Sequence, residues 1–182
     1  QFFATRRIAA HDLGARLDLS GETFSPANRL QPEASEDRQS RFHLNLAAGD
    51  TLGFFSDRLL IDVQLRYEFI RNFFAGSVPG FGPFSQPSDA NTFNLFTPQL
   101  GLVLEVLPGL DLRGNVGHYG RVPSFIELFG QRGSITGNPS LRPEEGLQTD
   151  LGIAWSSSEF AVFDLIAVEA AVFYSDIDDL IV

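Results

Sequence analysis

Polar and apolar residues alternate along most of this chain, which is typical of β-strands with two chemically different faces. The clearest case is the stretch "LDLRGNVGHYGR", where Leu112 and Val116 fall on one face and Arg113 and Asn115 on the other. Similar stretches lie at residues 13–22, 41–47, 59–69, 97–106, 147–155 and 167–176. The pattern therefore predicts an all-β, antiparallel protein of about seven strands, with a helical turn only at "SFIEL".

The predicted strands and their connections have the lengths expected of a transmembrane β-barrel. Most stretches approach the ~9–11 residues that a tilted strand needs to cross a bilayer. Long connections around 25–40, 72–93 and 121–146 alternate with shorter ones around 53–58, 107–110 and 156–164, as outer loops alternate with periplasmic turns. Trp155 beside a short connection, and Tyr67 and Phe69 near a long one, resemble the aromatic girdles of such barrels.

A soluble β-sandwich is the main alternative, because its strands also alternate between an apolar and a polar face. In this chain the polar faces carry many charges, and the apolar faces continue over each whole strand. We therefore favour the wall of a membrane barrel and keep a soluble β-sandwich binding module as the alternative.

Composition excludes several classes of function. The chain has no cysteine, which removes disulfides, thiolate nucleophiles and cysteine-based metal sites. Its formal net charge of −10 argues against nucleic acid as a partner, because a basic surface would be expected there. No run of ~18 apolar residues is present, so no transmembrane helix is predicted.

Other arrangements of charged residues favour neither a metal site nor catalysis. Two acidic clusters could in principle hold Ca²⁺, but their spacing matches no EF-hand loop: Glu33, Glu36 and Asp37, and Asp176, Asp178 and Asp179. His11, His43 and His118 fall on separate strands, so we expect no metal site and no cofactor. No Ser/His/Asp arrangement with the context of a nucleophile elbow occurs, so we expect no enzyme activity.

The stretch "YGRVPSFIELFGQRGSITGNPSLRPEEG" closely resembles the signature of TonB-dependent outer-membrane receptors. That family has an Arg-x-Pro-Ser-x-x-Glu-Leu segment followed, after a variable insert, by Gly-Asn-Pro-x-Leu-(Lys/Arg)-Pro-Glu. The matching residues here are Arg121, Pro123, Ser124, Glu127, Leu128, Gly137, Asn138, Pro139, Leu141, Arg142, Pro143 and Glu144. The resemblance extends into the flanking strands, strongly from about residue 96 onward and loosely before it.

The resemblance implies a barrel of about 22 strands with a plugged lumen. It also implies outer-membrane lipid as surroundings, a Gram-negative bacterium, and an N-terminal plug domain driven by the TonB complex. The ligand would be a large nutrient complex such as an iron–siderophore. We find no plug and no TonB-interacting segment in the chain, so we expect residues 1–182 to be part of the barrel domain of a larger receptor. A different outer-membrane barrel, either a passive channel or a barrel enzyme, stays as an alternative.

The motif residues also have a physical interpretation of their own. Pro123 and Pro143 force the preceding residues out of helix, and Gly137-Asn138-Pro139 has the composition of a turn. We predict that these residues brace the loop and the wall, and ligand contact is the less favoured alternative. Because Arg121 continues the polar register of its strand, we expect it to pair with Glu127 or Glu144, preferably Glu144, where the returning strand begins.

Overall fold

The computed structural model describes residues 1–24, 39–74, 90–129, 137–138, 140–158 and 165–181. Within them, eight strands form one antiparallel sheet in which each strand pairs with the next in sequence. The elements are β1 (Phe2–Ile8), β2 (His11–Phe24), β3 (Gln39–Phe54), β4 (Leu59–Phe74), β5 (Ala90–Leu107), β6 (Leu110–Arg121), α1 (Phe125–Phe129), β7 (Glu144–Ser157) and β8 (Ile166–Asp178).

The predicted all-β, antiparallel fold is confirmed, but the count of about seven strands was too low. The strand that the sequence pattern did not predict is β1, which pairs with β2 from Phe2↔Leu17 to Ile8↔His11. Its residues "FFATRRI" place one phenylalanine and one arginine on each face, so the strand shows no contrast between an apolar and a polar side.

Directly paired residues of neighbouring strands lie on the same face of the sheet. The alternation within each strand therefore gives the whole sheet two different faces. What we call the apolar face includes the row Leu52, Ile61, Leu102, Gly114, Leu151 and Val172. What we call the polar face includes the row Asp12, Thr51, Asp62, Gly101, Asn115 and Asp150. Large residues of the apolar face remain exposed, among them Leu151 at 63 % and Val172 at 69 %. No second sheet among the described residues covers this face, so the fold does not favour a β-sandwich.

Two ends of the sheet can be distinguished by the connections between strands. At the short-turn end, Ile8 and His11 flank the turn at residues 9–10, and Leu107 and Leu110 flank the turn at Pro108-Gly109. Gly109 has φ +79°, and a Cβ there would lie 2.3 Å from the carbonyl oxygen of Ser156, so this turn requires glycine. The connections at the opposite, long-loop end include residues 122–143, which contain α1.

The buried apolar residues lie on the polar face of the sheet, at the long-loop end. Ile70 on β4 and Leu95 on β5 are each 2 % exposed, and Phe125 and Leu128 of α1 are equally well buried. The most buried apolar residues of the described part therefore come from α1 and from the long-loop end of β4 and β5. No helix within the described residues is long and apolar enough to cross a membrane.

Candidate functional site

The candidate site is formed where β6 ends, α1 begins and β7 starts. Antiparallel pairing places Arg121 directly opposite Glu144. The Arg121 guanidinium donates from Nε to Glu144 Oε2 and from Nη2 to Glu144 Oε1, both at 2.9 Å. The predicted pair is thus present in bidentate geometry, which fits the planar guanidinium to a carboxylate.

A second carboxylate completes the coordination of Arg121. Its Nη1 donates to Glu127 Oε1 at 3.0 Å and to Glu127 Oε2 at 3.2 Å. Both acidic partners named from the sequence therefore bind the same guanidinium, one on each side. The Glu144 side chain is only 6 % exposed, against 36 % for that of Arg121, so Glu144 is the buried partner of the pair.

Ser124 and Glu127 form a capping box at the start of α1. The Ser124 backbone N–H and hydroxyl both donate to Glu127 Oε2, at 2.7 and 2.9 Å, and the Glu127 N–H donates back to Ser124 Oγ. The Ser124 N–H, with the Arg121 guanidinium as a further cause, lowers the pKa of the Glu127 carboxyl below its ordinary value. Glu127 is therefore held as a carboxylate by α1 itself as well as by Arg121.

The second half of the motif is joined to α1 by main-chain bonds. The Asn138 N–H donates to the Glu127 carbonyl at 2.8 Å, and the Leu141 N–H donates to the Asn138 carbonyl at 3.2 Å. The Asn138 side chain accepts the N–H of Ser140. Gly137 and Asn138 thus lie beside the end of α1, while Pro139 lies outside the described residues.

The chain leaving β8 also reaches the site, because the Ile181 N–H donates to Glu144 Oε1 at 2.7 Å. Glu144 therefore connects β6, β7 and the segment after β8. This contact was not predicted, since nothing in the local sequence around residue 181 indicates where its backbone will point.

Arg142 does not join this cluster. Its side chain is exposed, and none of the ion pairs among the described residues includes it. Pro123 is fully buried and Leu128 is 0 % exposed, so these two motif residues lie in the packed interior. The remaining residues, Leu141 and Pro143, are half-buried.

α1 packs on strands that are distant from it in the sequence. The rings of Phe125 and Phe24 stack with centroids 5.8 Å apart, and the guanidinium carbon of Arg41 lies 4.7 Å from the Phe125 centroid. Because Phe24 belongs to β2 and Arg41 to β3, the segment after β6 must pass over β5 and β4 to reach them. Sequence reasoning missed Arg41 and Phe24, whose only signal was their position on the polar face.

The three histidines remain separate in the structure. His11 pairs with Asp50, His43 with Glu68 and His118 with Glu145, each on a different strand. Within the described ranges, no group of three or more histidine, aspartate or glutamate side chains is arranged to hold a metal ion. The cluster at Glu33, Glu36 and Asp37 lies outside the described residues.

The chain is similar to known barrels over nearly its whole length. The family model described as "TonB dependent receptor-like, beta-barrel" matches residues 3–182. The solved structure of the copper transporter OprC is similar with a TM-score of 0.65 at 17 % identity, over 85 % of this chain and 27 % of OprC. A double mutant of the Serratia marcescens hemophore receptor HasR, in complex with its hemophore HasA and heme, has a TM-score of 0.61 at 16 % identity.

The HasR similarity covers 97 % of this chain and 32 % of that receptor. The chain therefore spans about a third or less of the length of these two structures. No curated protein matches the sequence.

Proposed function

Since the chain belongs to the family of TonB-dependent receptor-like β-barrels, we propose that it forms part of the wall of an outer-membrane receptor for energised uptake. The observation that carries this proposal is the two-faced sheet. Its apolar face suits the hydrocarbon region of a bilayer, and its polar face suits the lumen of a wide barrel. The surroundings would be the outer membrane of a Gram-negative bacterium.

We assign the ligand to the class of large nutrient complexes, such as an iron–siderophore. Two similar structures are a copper transporter and a hemophore receptor with heme. Both names involve metal-containing ligands, which supports this class of ligand but does not identify one member of it. Recognition would be by binding, at the outer loops and the lumen wall.

A trough on the polar face is where we place the plug domain of the complete receptor. Its cavity volume is about 480 Å³, and small residues of β2 and β3 form its floor: Gly14, Ala47 and Gly49. Arg16 and Arg66 line it on the side of the long loops, and Asp12 and Asp62 line it on the side of the short turns. A surface with cations on one side and carboxylates on the other can bind a folded polypeptide that presents both charges.

The function can be tested in the source organism with the full-length gene. We expect deletion to abolish uptake of one member of a panel containing ferric siderophores, heme and Cu²⁺. Uptake should stop when the cells are treated with an uncoupler or lack TonB. Uptake that continues without an energised inner membrane would instead favour a passive channel of the same fold.

The trough needs its own test, separate from uptake. In the full-length receptor, Gly49→Leu would fill the floor of the trough, because a Cβ there already meets Gln64 Cγ and the Val63 carbonyl at 3.4 Å. We expect the variant to assemble but to expose the plug to protease added from the periplasmic side. Unchanged protection of the plug would place its docking surface elsewhere on the wall.

A further inference from the structure

Arg41 has contacts that the receptor motif does not explain. It lies on the polar face of β3, between Glu22 of β2 and Asn72 of β4. Its Nε donates to Asn72 Oδ1 and its Nη2 donates to the carbonyl oxygen of Pro123, both at 2.7 Å. Its guanidinium also lies over the ring of Phe125. One side chain of the sheet thus binds both the backbone and an aromatic side chain of the segment that carries α1.

The partner that orients Arg41 is itself fixed. Asn72 is 0 % exposed, and its amide nitrogen donates to Asn91 Oδ1 on β5 at 2.6 Å. The Asn72 side chain therefore presents its oxygen to Arg41 and its nitrogen to the next strand. With Nε of Arg41 held by Asn72, its Nη2 donor reaches the carbonyl oxygen of Pro123.

The polar face beneath the segment carries apolar residues, whose exposure to water would be unfavourable. Ile70 and Leu95 are apolar residues on the polar face of β4 and β5, where alternation predicts polar side chains. Both are 2 % exposed, and the strands that carry them are the ones over which the segment passes. Leu128 and Phe125 of α1 are buried to a similar degree.

We propose that Arg41 is the positioning residue that docks residues 122–129 on the polar face, so that α1 is a second layer of the inner wall. The surface offered to the lumen at the long-loop end is then the far side of α1, where Ile126 is 41 % exposed. The strands beneath it are covered. Without Arg41, the capping box and the Arg121–Glu144 pair remain, but α1 loses its attachment to β3.

The test uses the full-length receptor, with any cysteine outside residues 1–182 replaced. These 182 residues contain no cysteine, so an introduced one reports on its own position. With Arg41 present, we expect Ile126→Cys to react with a water-soluble maleimide and Leu128→Cys, at a fully buried position of the same helix, to be protected. Adding Arg41→Gln should raise the labelling rate of Leu128→Cys at least tenfold. Folding of the barrel should persist, as measured by heat-modifiable gel mobility.

Arg71 provides the matched control, because its guanidinium also lies over a phenylalanine, Phe73, at 4.9 Å but on the apolar face of the sheet. Arg71→Gln should leave Leu128→Cys protected. Arg41→Lys keeps the charge but lacks the fork of donors, so it should restore protection only in part. Full protection in Arg41→Gln, or full rescue by lysine, would overturn the assignment.

A second measurement covers the case in which Leu128→Cys itself loosens the helix. The Leu128 amide donates to the Ser124 carbonyl at 3.0 Å, and its hydrogen exchange can be followed in a receptor without an introduced cysteine. We expect Arg41→Gln to accelerate this exchange and Arg71→Gln to leave it unchanged. Both readouts are independent of ligand uptake, so their failure would reject the role of Arg41 and leave the proposed receptor function untouched.

Discussion

Two regions of the same polar face differ in how their polar side chains are used. At the long-loop end, α1 covers the sheet, and side chains such as Asn72 and Glu144 are buried and fully engaged in hydrogen bonds. In the trough, polar side chains such as Arg16, Gln64 and Arg66 remain exposed at the surface.

The difference shows that polar residues in the same alternating sequence pattern can contribute very differently to stability. Removing one partner of a polar contact destabilises the protein more in a buried region than at the surface. The buried group that is left without a partner incurs the full desolvation penalty. On the exposed part of the polar face, water replaces a lost partner, so bonds such as that from Asn115 Nδ2 to Asp150 Oδ1 contribute little. Four predictions test this contrast, starting with the largest effect.

The largest effect is expected from Leu128→Ala in the covered region. Removing a fully buried leucine side chain destabilises a protein by about 2–5 kcal/mol, through lost transfer free energy and the cavity that remains. Thermal melting of the purified full-length receptor measures the loss. Ile126→Ala, on the exposed side of the same helix, is the control and should change the melting temperature little. Equal effects of the two substitutions would mean that α1 is not docked.

The second prediction compares the trough with the face behind it. Val63 and Gln64 are neighbours on β4 that point to opposite faces. Val63→Arg places a charge on the apolar face, which near the bilayer midplane costs on the order of 2–4 kcal/mol. We expect it to reduce barrel assembly, measured by heat-modifiable gel mobility, and Gln64→Arg to assemble normally. If both variants assemble equally well, the assignment of faces to lipid and lumen is wrong.

The third prediction concerns coupling between paired side chains. Arg121→Ala and Glu144→Ala should each lower the melting temperature, and the double variant should lose clearly less than the sum, because each single variant already breaks the bidentate pair. The same cycle on Asn115 and Asp150, on the exposed part of the polar face, should be additive within error. Additive effects at Arg121 and Glu144 would contradict a pairing that stabilises the covered region. Altered ligand preference with unchanged melting would favour direct ligand contact over bracing.

The smallest effect is a pH dependence that comes from Glu127. Because its folded-state pKa is lowered, Glu127 contributes stability that is fully present above the ordinary pKa of a glutamate. This contribution disappears as the pH falls through the lowered value. Comparing the melting temperatures of the wild type and Glu127→Gln from neutral to acidic pH should therefore show a difference that shrinks on acidification. A difference that is constant with pH would show that the charge of Glu127 contributes nothing.

Much of the fold was predictable because its pairing is sequential. Each strand pairs with the next one along the chain, so alternation and turn positions were enough to predict an antiparallel sheet and two distinct faces. The Arg121–Glu144 pair followed from the same logic, since both residues lie where neighbouring strands end and begin. β1 was missed because its two faces are equally mixed.

The docking of α1 was decided only by the tertiary structure. Alternation indicates which face of its own strand a residue occupies, but many residues share the polar face, and nothing local separates Arg41 from the others. Its bond to Pro123 joins residues 82 positions apart, and it forms only because the segment after β6 folds back over two strands. The sequence by itself determined the sheet, its faces and the motif, because these depend on near neighbours. The inner layer and its Arg41 contact depend on a long-range approach that no local pattern encodes.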